Sequence, residues 1–509
     1  MDHEDPAGAR HPNGPNDRKH PKEMTSSMDV LEIQSLVGGR WTGAPTVVRD
    51  NPAVPGQRVS VSADLDTATV ERALDAAHAA ARDWGRTPAP ARGRILERAG
   101  ALLDDRADEA ARDITREEGK TFAEARGEVA RAADILRFFG SEGWRIGGTT
   151  YPSAVGTDLI YSRREPLGAV AVITPWNFPI AIPTWKSAPA LVSGNAVVLK
   201  PAQITPAGAW HLASVLREAG LPDGVFTLLT GSGARIGAQL VESPWIDAVT
   251  FTGSVGVGAG IYTAAAPRRI RVQLELGGKN AVVVCDDADA RVAAGIVAAG
   301  GFGLTGQACT ATSRVICLPG IRDAFLEALR EETAAYLPGD GLAEGVRMGP
   351  VVSGGQLATD LGYLEKAVAE GARVAVGGAV ADGLLLGPTV LTGVQPAHTV
   401  AQEEVFGPVV AVLDATGLDQ AIELVNDSRF GLTAGVVTND LDTVHRFSAE
   451  VRAGVIKVNR PTGGVELNVP FGGVGDSSTN TYREQGQTAV DFFTWTKSVY
   501  QASAPRSTS

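Results

Sequence analysis

Residues 169–200 read AVAVITPWNFPIAIPTWKSAPALVSGNAVVLK. Two continuous runs rich in valine, AVAVIT and AVVLK, flank a helix-like segment around residues 181–191. Buried runs joined in this way make a βαβ unit, with parallel strands covered on both faces. The pattern continues outward. A helix over residues 206–219 leads to VFTLLT, and one over 234–241 leads to AVTFTG. A second series follows: NAVVVCDD, a long Ala/Gly-rich helix, SRVICL, a helix over 321–336, and the strands GVVTN and GVIKVN. Two consecutive α/β domains with parallel sheets are therefore expected. Upstream, residues 67–139 repeat Ala, Glu, Arg and Leu at helical spacing, which reads as a helical layer. GGTTYPSAVGTDLIYSRREPLG reads as a β-hairpin, and the closing FFTWTKSVY alternates like a strand.

The 509 residues carry 46 Lys+Arg against 58 Asp+Glu, a net charge of −12. An acidic chain with no basic cluster is repelled by phosphate backbones, so no nucleic-acid partner is expected. No stretch approaches the roughly 18 uninterrupted apolar residues of a membrane span, so no membrane association is expected either. Three cysteines argue against a disulfide framework and for a reducing, cytoplasmic setting. Residues 1–29 mix Pro, Gly, Asn and both charge signs and are expected to form a disordered tail, within which Met28 is an alternative start. They lack the charged-then-apolar pattern of a secretory signal.

Gly231-Ser-Gly233-Ala-Arg-Ile-Gly237 is open to two readings: a dinucleotide turn whose third glycine comes one residue late, or tight strand-to-helix packing. Gly253 and Ser254, in FTGS, stand between another strand and helix, where small residues let backbone N–H groups reach an anion. Cys285 in VVVCDD and Cys317 in VICL read as buried small hydrophobes. Cys309 differs, lying past an apolar helix in FGLTGQACTATS, among small polar residues that leave a thiol accessible. Alone, it is equally a structural cysteine in a loop. The seven histidines are isolated and no second cysteine stands at ligand spacing, so no metal is expected. A cysteine hydrolase would need His78, His211, His398 or His445 alongside, and none has a site-like context. Glu275 in LELGGKN and Asn177 in TPWNFP add a carboxylate base and an amide donor. With a nucleophilic sulfur, these are the parts needed for acyl chemistry through a thioester.

Taken in order, TPWNFP, GNAVVLKPA, FTGS, LELGGKN, GQACT, EEVFGPV and PFGG resemble the NAD(P)-dependent aldehyde dehydrogenase superfamily. NFPIAIPTWK, FTGSVGVG, VPFGG and YREQG are similar to the branch containing α-ketoglutaric semialdehyde (2,5-dioxovalerate) dehydrogenases. The resemblance implies two Rossmann-like parallel-sheet domains and a small β oligomerisation element. Its boundaries would be a cofactor-binding domain at residues 30–148 and 168–278, a catalytic domain at 279–475, and an oligomerisation element at 149–167 and 488–503. Exposed strands need covering, so a homodimer or homotetramer is implied.

By the same resemblance, Cys309 is the nucleophile, Glu275 the general base and Asn177 the oxyanion donor, acting on a small-molecule aldehyde with NAD or NADP. Lys200 would hold the adenosine ribose with Gln203 nearby, Gly253 and Ser254 the pyrophosphate, and Glu404 and Phe406 the nicotinamide ribose and ring, while Trp176 lines the cleft. Three departures stand out. Gln203 replaces the Glu common in NAD-preferring members, which leaves NADP open. Gly303, Leu304, Thr305 and Ala308 leave no basic residue next to the nucleophile. Residues 474–482 lack the usual Lys-Ser-Gly pattern. Arg460, directly after Asn459, is either a substitute anchor for a substrate carboxylate or phosphonate, or a surface arginine in a loop; Trp185 and Asn459 join it as substrate candidates. The expected function is oxidation of a small polar or anionic semialdehyde to its acid. The alternatives are a CoA-acylating dehydrogenase, against which Glu275 counts, and a catalytically retired structural or binding member.

Overall fold

Valine-rich runs need apolar cover on both faces, and here each finds it. Ala169–Ile173, Ala196–Lys200 and Phe226–Leu228 lie side by side in parallel; the chain then crosses to the other flank of Ala169–Ile173 and adds Ala248–Thr252 and Arg271–Glu275. Val170, Val172, Val197 and Val198 are fully buried, each contributing about 1.5–3 kcal/mol of transfer free energy. Strand order reverses between Ala169–Ile173 and Ala248–Thr252, and sheets of this kind bind ligands in the crevice beyond the carboxyl ends at such a reversal. TPWNFP leaves one of those ends and Gly253-Ser254 the other.

The computed structural model describes residues 30–156 and 158–502. The tail expected over residues 1–29 lies outside the described residues, as does residue 503. A second sheet runs in the order Arg373–Val376, Thr389–Thr392, Val409–Asp414, Arg314–Cys317, Ala281–Val284, Thr433–Val437, Val455–Val458, parallel except at its first pair. Thr150–Tyr151, Leu159–Pro166 and Thr494–Gln501 form a separate antiparallel sheet. The helical layer comprises Thr67–Arg86, Ala89–Asp105, Ala107–Glu118 and Phe122–Glu142. The last of these opens on a capping box between Thr121 and Glu124 and packs against Ala181–Val192.

The segment before residue 67, for which the sequence offered no elements, adds strands: Ser35–Val37 and Arg40–Thr42 extend the first sheet antiparallel past Phe226–Leu228. Leu31–Ile33, Pro45–Asp50 and Arg58–Ala63 form a sheet of their own. At three to six residues each, these strands are too short for alternation to register. Phe492 and Phe493 also close a short helix, Thr488–Phe493, and the last strand begins only after them. Among the described residues no helix is long and apolar enough to cross a membrane, and no group of three or more His, Cys, Asp or Glu could hold a metal ion.

Candidate active site

Cys309 follows a backbone held in a sparsely allowed region: Leu304, Thr305 and Gly306 have φ of 53°, 57° and 65°. A Cβ on Gly306 would lie 2.1 Å from the Gly407 carbonyl oxygen, so this approach needs glycine. Surrounding groups fix the strained loop. Leu304 donates its N–H to Glu124 Oε1 (2.7 Å), Thr305 Oγ1 donates to the Gly349 carbonyl (3.0 Å), and Asn280 Nδ2 donates to the carbonyls of Cys309 (2.8 Å) and Ala311 (2.9 Å). Cys309 is thereby half-buried in the lining of one cavity, with its neighbours Ala308 and Thr310 in the lining of a second.

The first cavity, about 250 Å³, lies at the sheet's reversal point and is lined by Trp176, Asn177, Gly253, Ser254, Cys309, Glu404 and Phe406 among others. Trp176 and Phe406 meet edge to face at 5.4 Å and 83°. Phe406 adopts φ 63°, a left-handed conformation that bulky residues rarely hold. Thr252 Oγ1 and Asn177 Oδ1 are buried with no hydrogen-bond partner, so the crevice offers unsatisfied polar groups to a ligand. Ser254 starts the helix Val255–Ala265 without a side-chain cap bond, leaving N–H groups of that helix end free for an anion. The neighbouring helix Gly233–Glu242 is instead capped by its own Ser232, which accepts the Arg235 N–H. Gly233 and Gly237 line a mainly apolar slot of about 260 Å³ between these two helices, with Ile173, Val257 and Ala264. Lys200 ends the next strand, buried, with its Nζ on the Pro201 carbonyl and its pKa pushed down to about 8 by burial. Gln203 follows in a half-buried turn.

Asn177 Nδ2 donates to the Gln307 carbonyl at 2.8 Å, two residues before the sulfur, leaving its second amide proton uncommitted. A buried ion pair from the helical layer holds its loop. Lys120 Nζ donates to Glu128 Oε2 (2.6 Å) and to the Asn177 carbonyl (2.6 Å), while Glu128 Oε1 accepts the N–H groups of Ile180 and Ala181 (both 3.0 Å).

Glu275, the last residue of its strand, is buried; neither carboxylate oxygen makes a hydrogen bond of good geometry, and the Gly473 N–H is the donor that comes near. Burial, and then the Glu484 carboxylate, hold its pKa well above 4.5, opposed by Lys186 and Arg483. Glu484 arrives because Phe471 and Glu484 exchange two backbone hydrogen bonds of 2.7 Å, and its carboxylate accepts from the buried Lys186 ammonium. A Cβ on Gly472 would sit 2.7 Å from Glu275 Oε1. Burial also pushes the Cys309 thiol up to about 12, helped by Glu404, Glu275 and Glu484. Glu404, raised to about 7 by burial, accepts the Gly278 N–H at 3.0 Å.

The second cavity, about 650 Å³, reaches the same loop through Ala308 and Thr310 and includes Arg131, Lys457 and Arg460. Two substrate candidates lie elsewhere. Asn459, at φ 52°, exchanges hydrogen bonds with Thr438 and delivers the turn to Arg460; Trp185 is buried against Phe471 at 6.1 Å. Sequence reasoning missed Lys120, Glu128, Lys186, Glu484 and Arg131.

Two parallel-sheet units sharing a crevice with a cysteine at the strand-order reversal define an α/β enzyme of nucleotide-crevice type. Residues 41–499 match the aldehyde dehydrogenase family. The chain is 46% identical over 479 residues to alpha-ketoglutarate semialdehyde dehydrogenase of Haloferax volcanii, covering 92% of this chain and 99% of that protein. It is also 46% identical to 2,5-dioxopentanoate dehydrogenase of Saccharolobus solfataricus, over 85% and 91% of the two chains. The crystal structure of an NAD-dependent aldehyde dehydrogenase from Sinorhizobium meliloti superposes with a TM-score of 0.91 at 35% identity, covering 94% of this chain and 97% of that one. The chain belongs to the aldehyde dehydrogenase family. It is an oxidoreductase acting on aldehydes with NAD or NADP, and the branch suggested by its motifs is the one these relatives represent.

Proposed function

We propose that the chain oxidises a small anionic semialdehyde, of the kind represented by 2,5-dioxopentanoate, to the carboxylic acid through a thioester on Cys309. The observation carrying this reading is the loop at Cys309: the cysteine lines a nucleotide-type crevice, its neighbours Ala308 and Thr310 line a cation-bearing cavity, and the Asn177 amide bonds to the Gln307 carbonyl two residues before it. The crevice fits a dinucleotide. Lys200 and Gln203 would face its adenosine ribose, Gly253 and Ser254 its pyrophosphate, Glu404 and Phe406 its nicotinamide end, and the slot at Gly233 and Gly237 its adenine. When bound, the oxidised cofactor supplies a hydride acceptor and a positive charge in the crevice.

Cys309, a thiol in the free enzyme, loses its proton to solvent and adds as thiolate to the aldehyde carbon, forming a thiohemiacetal. The Asn177 amide and the Cys309 N–H stabilise the oxyanion where it develops. Loss of hydride leaves the thioester. Glu275, once ionised, is a stronger base than an ordinary carboxylate because its pKa is raised; it takes a proton from water, which attacks the thioester and releases acid and thiol. A dedicated base for water favours hydrolysis over transfer to CoA. The exposed Trp495 and Tyr500 on the strand Thr494–Gln501 support a homodimer or homotetramer, and three unpaired cysteines support a cytoplasmic setting.

The test is reduced-nicotinamide absorbance with NAD and NADP supplied separately, across 2,5-dioxopentanoate, succinate semialdehyde, phosphonate aldehydes and uncharged aliphatic aldehydes. Turnover of the anionic aldehydes that is lost in Cys309→Ala supports the reading; oxidation confined to uncharged aldehydes contradicts it.

A further inference from the structure

On the helix Phe122–Glu142, residues 124, 128 and 131 stand at i, i+4 and i+7, one stripe facing the site. The first two have assigned partners: Glu124 takes the Leu304 N–H, and Glu128 holds Lys120 and the Asn177 loop. Arg131, next along the stripe, is half-buried and lines the 650 Å³ cavity beside Phe178, Leu304 and Ala308. It makes no hydrogen bond or ion pair among the described residues. A half-buried guanidinium loses hydration without compensation unless an anion meets it. From the second sheet's side come Arg460, also without a hydrogen bond or ion pair, and Lys457, whose Nζ donates to the Gly464 carbonyl at 2.5 Å. Glu466 is the single carboxylate in the lining, against these three cations. In a chain of net charge −12, this cavity is locally positive, and a low-dielectric cleft of one sign focuses the field on an incoming anion.

We propose that Arg131 is a specificity-determining residue that grips the carboxylate of the substrate, with Arg460 closing on it from the other domain. The inference rests on the semialdehyde reading above and names the group that reads the acid end. Its fork of N–H donors matches a carboxylate bidentately, as a lysine ammonium cannot. Aldehyde and acid ends are then held apart, at Cys309 and at Arg131, so an aldehyde lacking the acid loses orientation as well as affinity.

The experiment measures kcat/KM for 2,5-dioxopentanoate and for pentanal in the intact enzyme, Arg131→Met, Arg131→Lys and Arg460→Met, with thermal midpoints as the folding control. The ratio of the two kcat/KM values should fall roughly tenfold to a hundredfold in Arg131→Met, mostly through KM, with partial recovery in Arg131→Lys. Glutarate, as a probe without an aldehyde, should inhibit the intact enzyme competitively and Arg131→Lys more weakly; this comparison decides if methionine is not tolerated. An intact enzyme without preference for the anionic aldehyde overturns both the semialdehyde reading and the anchor. A preference that survives Arg131→Met, or glutarate inhibition unchanged in Arg131→Lys, overturns the anchor alone.

Discussion

Replacing Glu128 by glutamine keeps an oxygen for the N–H groups of Ile180 and Ala181 but strips the charge facing Lys120. The ammonium is buried, and removing one partner of a buried pair costs about 3–5 kcal/mol. Lys120 keeps the Asn177 carbonyl at 2.6 Å and Glu118 at 4.0 Å, which points to the low end, about 3 kcal/mol, or a fall in thermal midpoint of roughly 3 °C for a chain of this length. Lys120→Met with Glu128→Gln leaves no stranded cation. It loses hydrogen bonds of about 1 kcal/mol each and the cation 4.0 Å from the buried Glu118, a carboxyl already raised to about 7 by burial and able to take up a proton, so the double variant should be more stable than Glu128→Gln alone. Both should lose about tenfold or more in kcat, because the loop carrying the oxyanion donor is no longer clamped. Thermal unfolding and steady-state kinetics on the three proteins check this. A Glu128→Gln enzyme as stable as the parent, or a double variant less stable than the single, would refute the reasoning.

Glu275 must be ionised to act as base, and its pKa is raised, so hydrolysis should increase with pH through a limb well above 4.5. Lys186→Met removes a neighbouring cation and should move that limb to higher pH, whereas Glu484→Gln should move it lower; pH profiles of kcat read both signs. Gln203→Glu adds a negative charge beside the proposed adenosine ribose and should lower kcat/KM with NADP about tenfold while sparing NAD; equal effects on both cofactors would place Gln203 away from the 2′ position. Gly472→Ala brings a methyl group within 2.7 Å of Glu275 Oε1 at a φ of 148°, and should lower kcat about tenfold or more without slowing iodoacetamide labelling of Cys309.

Most of the two sheets was legible because valine runs and helical periods alternate from residue 169 onward, whereas Arg373–Val376, Thr389–Thr392 and Val409–Asp414 of the second sheet went unread. The crevice was legible through short signals at strand ends, FTGS and TPWNFP, where chemistry and backbone geometry coincide. What the sequence hid were long-range pairings. Lys186 and Glu484 are 298 residues apart, and nothing local marks either as electrostatic company for Glu275. Lys120 and Glu128 sit in a helical pattern that reads as solvated charge, although both are buried. Arg131 had one available signal, the 124–128–131 stripe, but its meaning depends on what the helix packs against. Asn459 read as a site residue through its place before Arg460, and its left-handed turn is what delivers that arginine.

The central claim, that Glu275 hydrolyses an acyl group carried on Cys309, is tested most directly by intact and peptide mass spectrometry of Glu275→Gln after mixing with cofactor and aldehyde. The account predicts a burst of one reduced cofactor per site and an acyl mass increment on the peptide holding Cys309, persisting because water is no longer activated. Unimpaired steady-state turnover in that variant, or a burst with no increment on Cys309, would contradict it.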